Sequence, residues 1–519
     1  MLRHNAGSPG FSAPPPRFDV RPKIVGPPRL DPYHRLLSRF YEPLVLLRLL
    51  GKSGGYSTPR PPDLDAAQAT RRTFLKNLSF ICDYDRGGQT CTAMGLESTK
   101  ACYRFWAASY KGKGKIPQFL KVTLDFLRDI DCSQETELAN KTADFSKHCI
   151  EFATKRIDKE KKCLFAAIHN CLETLSHQNT TSADDLSKWL KPLLSYDNNF
   201  RLCMLAYESR HSDYLSHLQM QAAEQEKMMG PNSCVESFAS ARHLLGRLAH
   251  HIRAPKELVE DAKSVSYILQ AFEVCFIDPM PCVPPPAPDA HTNVHGFLNR
   301  LLGKDCKERV EIEDGLRKLN DLQGVFVDFP TKYERLKPRI HAEVQVLEYF
   351  YANKMEFAGN DHYIACSKPA CLCCEMYFRF HPARMVVPES HRNIWVNWGP
   401  PKVDNYSKAT PAGRHQLDIL NPMIRDLRDM IIRKALGRST AGHCHPDSKT
   451  GITNMPYTRE SPMSYNFLER KSPVLSVQGS IDQQYRRSES TPSNESAGSG
   501  ESVADEDSGL DNGGVAIYT

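Results

Sequence analysis

His341, Glu343, Cys371 and Cys374 are the residues of this 519-residue chain whose types and spacing could act together as a reaction centre. One imidazole and two thiolates give a zinc ion three ligands, and a fourth position left open can hold a water. Zinc lowers the pKa of such a water from about 15.7 to about 7, so a hydroxide nucleophile exists at neutral pH. Glu343 follows the histidine by two residues and is not required as a ligand. A carboxylate there can carry the water's proton to a ring nitrogen and a leaving amine, which is general acid–base work. A closed structural zinc site would need a fourth protein ligand. His362, Cys366 or Cys373 could supply one, but that reading leaves Glu343 without a task.

The elements around these residues are positioned to serve them. His341 to Tyr351 reads as a helix, with Val344, Leu347 and Tyr351 on one face and His341 and Glu343 in its first turn. Asp361 to Cys366 reads as a short strand. Pro369 is suited to starting a second helix, on which Cys371, Cys374 and Phe378 share a face. Cys373 points elsewhere and, like Cys366, reads as a small buried apolar residue. A helix N-terminus favours thiolate through its dipole and free N–H groups. Two such N-termini can therefore converge on one metal ion.

A histidine, a glutamate two residues on and a later C-x-x-C pair form the pattern of zinc-dependent base deaminases. The segments Pro338-Arg-Ile-His-Ala-Glu-Val-Gln-Val-Leu-Glu-Tyr-Phe, Ile364-Ala-Cys-Ser-Lys-Pro-Ala-Cys-Leu-Cys-Cys and Trp398-Gly-Pro-Pro resemble a fungal, nucleic-acid-deaminase-like group of the cytidine deaminase-like superfamily. That group is related to deaminase domains of bacterial toxins. The tight motif covers residues 338–402, and a weaker likeness around Ile81-Cys-Asp-Tyr-Asp-Arg-Gly-Gly extends it to residues 70–110. The resemblance implies that His341, Cys371 and Cys374 bind Zn2+ and that Glu343 is the proton shuttle. It implies hydrolytic removal of the exocyclic amine of cytosine or adenine, in a nucleotide or a nucleic acid. The alternative is a zinc-stabilised scaffold or interaction protein without turnover, and an intact Glu343 argues against it. A toxin- or immunity-like effector would differ in biology rather than in chemistry.

The fold implied is an α/β, cytidine deaminase-like three-layer sandwich whose sheet begins with a helix and a β-hairpin ahead of the His–Glu helix. Immediately before His341 only Gly324-Val-Phe-Val-Asp-Phe looks β-prone. Far upstream, Arg71 to Asp83 reads as a helix, and Gln89–Leu96 and Cys102–Ser109 read as two strands. We therefore expect the sheet to be assembled from residues 70–110 and 338–400, with a large helical insertion between. Related deaminases hold the substrate with an asparagine at the end of the second strand. Ser109 and Tyr110 occupy that place here, so Ser109 becomes a substrate candidate. Tyr363, Trp395 and Trp398 are candidates for stacking on a base, and Lys368, Arg384 and Arg392 for contact with phosphate.

The organisation expected is a Pro-rich disordered arm at 1–30, N-terminal helices and the hairpin at 31–110, and a helical insertion at 111–335 with a Pro-rich linker at 278–291. The zinc core and a C-terminal helix follow at 336–437, and an acidic disordered tail at 438–519. Periodicity places the insertion's helices at 139–176, from Ser182, at 200–228 and at 233–272. The C-terminal helix carries the stripe Leu420, Met423, Ile424, Leu427, Met430 and Ile431, with Gly437 as its cap. The net charge of +6 is small and does not by itself indicate nucleic-acid binding. The first 60 residues are basic, however, and could contact phosphate. Seventeen cysteines, an odd number, suit reduced thiols in an intracellular protein. Neither a signal peptide nor a membrane span is visible. The partner expected is a nucleobase-containing substrate, with single-stranded nucleic acid as one form of it.

Overall fold

A computed structural model describes residues 30–51, 64–130, 135–229, 237–302 and 306–438. The two tails expected to be disordered lie almost wholly outside these residues. What is described is mixed α/β and mostly helical, built around one small four-stranded sheet.

The sheet comprises β1 (Ala93–Ser98), β2 (Tyr103–Ala108), β3 (Phe272–Ile277) and β4 (Ala365–Cys366) in the order β3-β2-β1-β4. β1 and β2 form an antiparallel hairpin, with Ala93 opposite Ala108 and Ser98 opposite Tyr103. β4 joins the other side of β1, Cys366 facing Ala93. Side chains of a strand alternate between faces, and here the alternation sorts them into two cores. Met94, Leu96, Phe105, Ala107, Val274 and Phe276 pack under the helices Ala66–Cys82 and Ile116–Asp129, while Ala93, Trp106, Ala108 and Ile277 face the helix Ala342–Asn353. Helices thus cover both faces. Gly95 sets the spacing on the second face: a Cβ there would lie 2.9 Å from both the Phe350 ring and a Val346 methyl.

The third core is entirely helical. The helices Thr154–Ser176, Asn199–Glu208 and Asp213–Met229 pack around the long helix Ser237–Ala262, and Thr181–Leu190 packs on Thr154–Ser176 and Asp213–Met229. That helix serves two cores, since Phe238 to Ile252 face the helical block and Ala254 to Ala262 face the sheet. The helix Pro411–Ala435 buries Leu420, Met423, Ile424, Leu427 and Ile431 in the core it shares with the N-terminal helix Pro32–Leu49. Gly437 follows it with a φ of 65°, as a left-handed cap requires.

Three local expectations are corrected. Phe272, expected at the end of a helix, instead opens the strand Phe272–Ile277, which pairs in parallel with β2, Phe272 opposite Tyr103. A parallel neighbour needs a long crossover, and the helices between residues 116 and 269 supply it. Gly324 to Phe329 was read as β-prone, but Val325–Glu334 is helical. Val325, Phe329 and Tyr333 are its buried residues, a period of four rather than two, and Gly324 at a φ of 63° closes the preceding helix. The second site helix begins at Leu372 rather than at Pro369, because Ala370 is taken up in a bridge to Ser390.

Candidate metal centre and active site

The two site helices begin in the same way. His341 is the N-cap of Ala342–Asn353 and Cys371 the N-cap of Leu372–Phe380, both with extended backbone and neither making a side-chain capping bond. Each side chain is thereby turned from its own helix toward the other. One segment, residues 389–399, grips both N-caps. Ala370 N–H donates to the Glu389 carbonyl (2.8 Å) and His391 N–H to that of Ala370 (3.0 Å). Arg339 N–H donates to the Asn397 carbonyl (2.8 Å) and Gly399 N–H to that of Arg339 (2.9 Å). Gly399 permits this approach, since a Cβ there would lie 2.3 Å from the Cys282 sulfur and 2.6 Å from the Tyr41 hydroxyl.

His341 Nδ1 lies 3.6 Å from Cys371 Sγ and 3.4 Å from Cys374 Sγ, and the sulfurs are 3.5 Å apart. Zinc bonds of about 2.3 Å to sulfur and about 2.0 Å to nitrogen at the tetrahedral angle give ligand separations of roughly 3.5–3.8 Å. The triangle therefore fits a zinc ion. Among the described residues this ligand group has three members, which leaves one tetrahedral position for a non-protein ligand. Cys373 is fully buried and outside the group.

Electrostatics follow from burying these groups together. Burial opposes a charge on His341, yet the Cys371 thiolate beside it raises the imidazole to about 9. Burial also opposes ionisation of Cys371, but the Cys374 hydrogen bond and the His341 charge prevail and hold it well below the usual thiol range. Cys374 is pushed well above that range, by burial first and by Cys371 second. Glu343 is buried, and desolvation raises its carboxyl against the opposing pull of His341. The Cys366 thiol sits 4.0 Å from its Oε2.

The weaker substrate candidates are placed otherwise than expected. Ser109 is fully buried, and its hydroxyl donates to the carbonyls of Lys111 (2.7 Å) and Gln89 (3.3 Å). Lys368 donates to the Gly87 carbonyl at 2.6 Å and lies 3.8 Å from the Asp83 carboxylate. Trp398 cannot stack on a base: it is fully buried, and its indole N–H points at Cys374 Sγ, 3.1 Å away. Arg392 is held bidentately by Glu375 (2.8 and 3.0 Å). Tyr363 lies under the Arg72 guanidinium, and Trp395 is half-buried against His391. Arg384 is exposed. Sequence reasoning gave no role to Arg339. It shares an extended run with His341, where residues two apart project to one side. Its guanidinium lies 5.4 Å from the centre of the Tyr110 ring, which is 45 % exposed.

A second polar cluster, Glu348, His381 and His415, lies on the far side of the same helix pair. Glu348 Oε1 accepts from Tyr377 Oη (2.5 Å), His381 Nε2 (3.1 Å) and His415 Nε2 (3.2 Å). His381 Nδ1 accepts the Ala383 N–H, so the neutral ring carries its proton on Nε2. A ligating histidine does the reverse, donating from the nitrogen that does not bind the metal. This cluster is a hydrogen-bonded node.

The comparison with known families fits the first cluster. Residues 340–402 match a deaminase family. It is the one described as OTT_1508_deam:-like deaminase, and the match spans His341, Glu343, Cys371 and Cys374. No curated protein and no solved structure gives a match. No helix of the described residues is long and apolar enough to cross a membrane.

Proposed function

We propose that the chain is a zinc-dependent hydrolase that removes the exocyclic amine of cytosine or adenine. The observation that carries this is the three-membered His341–Cys371–Cys374 triangle with a buried carboxylate, Glu343, beside it and outside it. A zinc ion held by His341, Cys371 and Cys374 would supply a Lewis acid that makes a water nucleophilic near neutral pH. Glu343 would carry protons from the attacking water to the ring nitrogen of the base and to the departing ammonia. Its raised carboxyl suits a group that must both take and give protons.

The fold reading goes with it. A sheet covered by helices on both faces, with His–Glu and Cys–Cys helices on one of them, supports a cytidine deaminase-like sandwich. The sheet of that domain draws on residues 93–108, 272–277 and 365–366, so the segment 111–335 expected as a helical insertion supplies one of its strands, β3. The cysteines of the described residues are all free thiols, which supports a reducing, intracellular setting. The test is ammonia release by zinc-loaded protein from cytosine and adenine nucleosides, nucleotides, single-stranded DNA and RNA. Release from at least one class, abolished in Glu343→Gln, is expected. A zinc-replete wild type inert on the whole panel would replace the enzyme by the scaffold.

A further inference from the structure

Trp398 is one of only four tryptophans in the chain, and its indole is fully buried. An indole N–H is a donor and nothing else, and a buried one needs an acceptor. The acceptor it meets is the sulfur of Cys374, at 3.1 Å, well inside the 4.0 Å reach of a sulfur contact. The contact is built in from several sides. Trp398 bridges in parallel to Arg339, two residues before His341. Its backbone N–H donates to the Trp395 carbonyl (3.2 Å), and its ring packs on Phe40 and Tyr377. Gly399 locks the next residue against Tyr41 and Cys282. The indole therefore cannot swing elsewhere without unseating the segment that holds His341.

Cys374 accepts the indole N–H of Trp398, whereas Cys371 makes no capping bond to the backbone of its own helix. An N–H aimed at a thiolate withdraws electron density from it and fixes its lone-pair direction. A partner that orients a metal ligand is typically worth about 10–100-fold in metal affinity.

Resting on the zinc reading above, we infer that Trp398 is a positioning residue for the metal, acting through an N–H···S hydrogen bond to Cys374. The bond orients the Cys374 thiolate and weakens its donation, leaving more positive character on the metal.

The full-length protein tests this without a substrate. Wild type loaded with cadmium-113 should show, in its indole NMR signals, one tryptophan N–H with scalar coupling to cadmium through the sulfur. Loaded with cobalt(II), Trp398→Phe should keep one metal per chain but move the thiolate-to-cobalt charge-transfer band to lower energy. Its zinc should pass to a competing chelator with affinity weakened roughly 10–100-fold. Phe40→Leu, which loosens the packing around the indole but keeps the N–H, should leave the band in place. Absence of the cadmium coupling in a metal-loaded wild type overturns the inference even if Trp398→Phe does not fold. An unchanged cobalt band in a folded Trp398→Phe, or the same shift in Phe40→Leu, overturns it too. A wild type that binds neither cadmium nor cobalt at Cys371 and Cys374 instead refutes the metal reading on which it rests.

Discussion

Ser367 donates its hydroxyl to the Asp83 carboxylate across 3.1 Å, joining residues 284 positions apart. Asp83 is fully buried, accepts from Thr90 (2.7 Å), and faces Arg156 of the helical block at 3.3 Å. One carboxylate thus ties the turn that leads to Cys371, the loop before β1 and the helical block. A charged group taken out of water at such a junction is stable only while its partners remain. Asp83→Ala should lower both thermal stability and zinc retention, whereas Asp83→Asn, which keeps one acceptor, should lose less of each. Melting and metal analysis on the same preparations decide it, and equal losses in the two variants would count against the junction.

The ligand assignment makes a sharp distinction between neighbouring cysteines. Cys374→Ala and Cys371→Ala should empty the metal site and destabilise the fold, because site formation and folding share one free energy. Cys373→Ala removes a fully buried sulfur outside the triangle and should keep one zinc per chain. Elemental analysis of the three purified variants is the check. Zinc lost from Cys373→Ala but kept by Cys374→Ala would reverse the assignment.

Zinc uptake should release protons, and the pH dependence has a definite sign. His341 is held up to about 9 and Cys374 well above the usual thiol range, while the Cys374 hydrogen bond and the His341 charge hold Cys371 well below it. Near pH 7 the incoming ion therefore displaces one proton from His341 and one from Cys374. Affinity should rise about 100-fold per pH unit there and more gently above pH 9, where His341 has lost its proton. Calorimetry in buffers of different ionisation enthalpy counts the protons directly.

The helical block is held together by charge as well as by packing. Glu160 is fully buried, with Arg247 at 2.6 Å, Arg156 at 3.1 Å and His251 at 3.3 Å. Burial disfavours its charge, yet the two arginines prevail and hold its carboxyl well below the usual range. Glu160→Gln leaves two buried guanidinium groups uncompensated and should cost about 3–5 kcal/mol. Denaturant melts of the two proteins measure it. A loss under 1 kcal/mol would show that water reaches the arginines.

Glu343→Gln should leave zinc content and melting temperature nearly unchanged, since the carboxylate lies outside the ligand triangle. Whatever deamination the wild type shows should fall by about 10²–10⁴-fold or more, because one carboxylate handles every proton transfer.

The clustering of His341, Cys371 and Cys374 was legible in the sequence because its parts are local. The i, i+3 cysteines and the His–x–Glu pair are set by a single helical turn each, and the β1–β2 hairpin by two alternating runs. What escaped depends on distance. β3 looked like a helix end because its partner, β2, lies far back in the chain. Ser109, Lys368 and Trp398 have side chains that could meet a substrate, yet each is already engaged by a group remote in sequence: the Gln89 carbonyl, Asp83 or Cys374. Residue type announces what a side chain can do, and only the fold says whether it is already occupied.

The parallel pairing of β2 with β3, residue 103 opposite residue 272, orders events during synthesis. The hairpin leaves the ribosome early with two apolar faces, and a lone hairpin is marginal in water. Its neighbour β3 emerges some 165 residues later, and β4, leading to the cysteines, later still. The nascent chain must carry an unfinished sheet through about half of its translation, exposed to misassociation. An expression fragment trimmed to residues 340–402 would contain His341, Glu343, Cys371 and Cys374, yet only Ala365 and Cys366 of the sheet beneath them. Such a fragment should come out insoluble, whereas separately expressed halves cut within the helical block could still find one another.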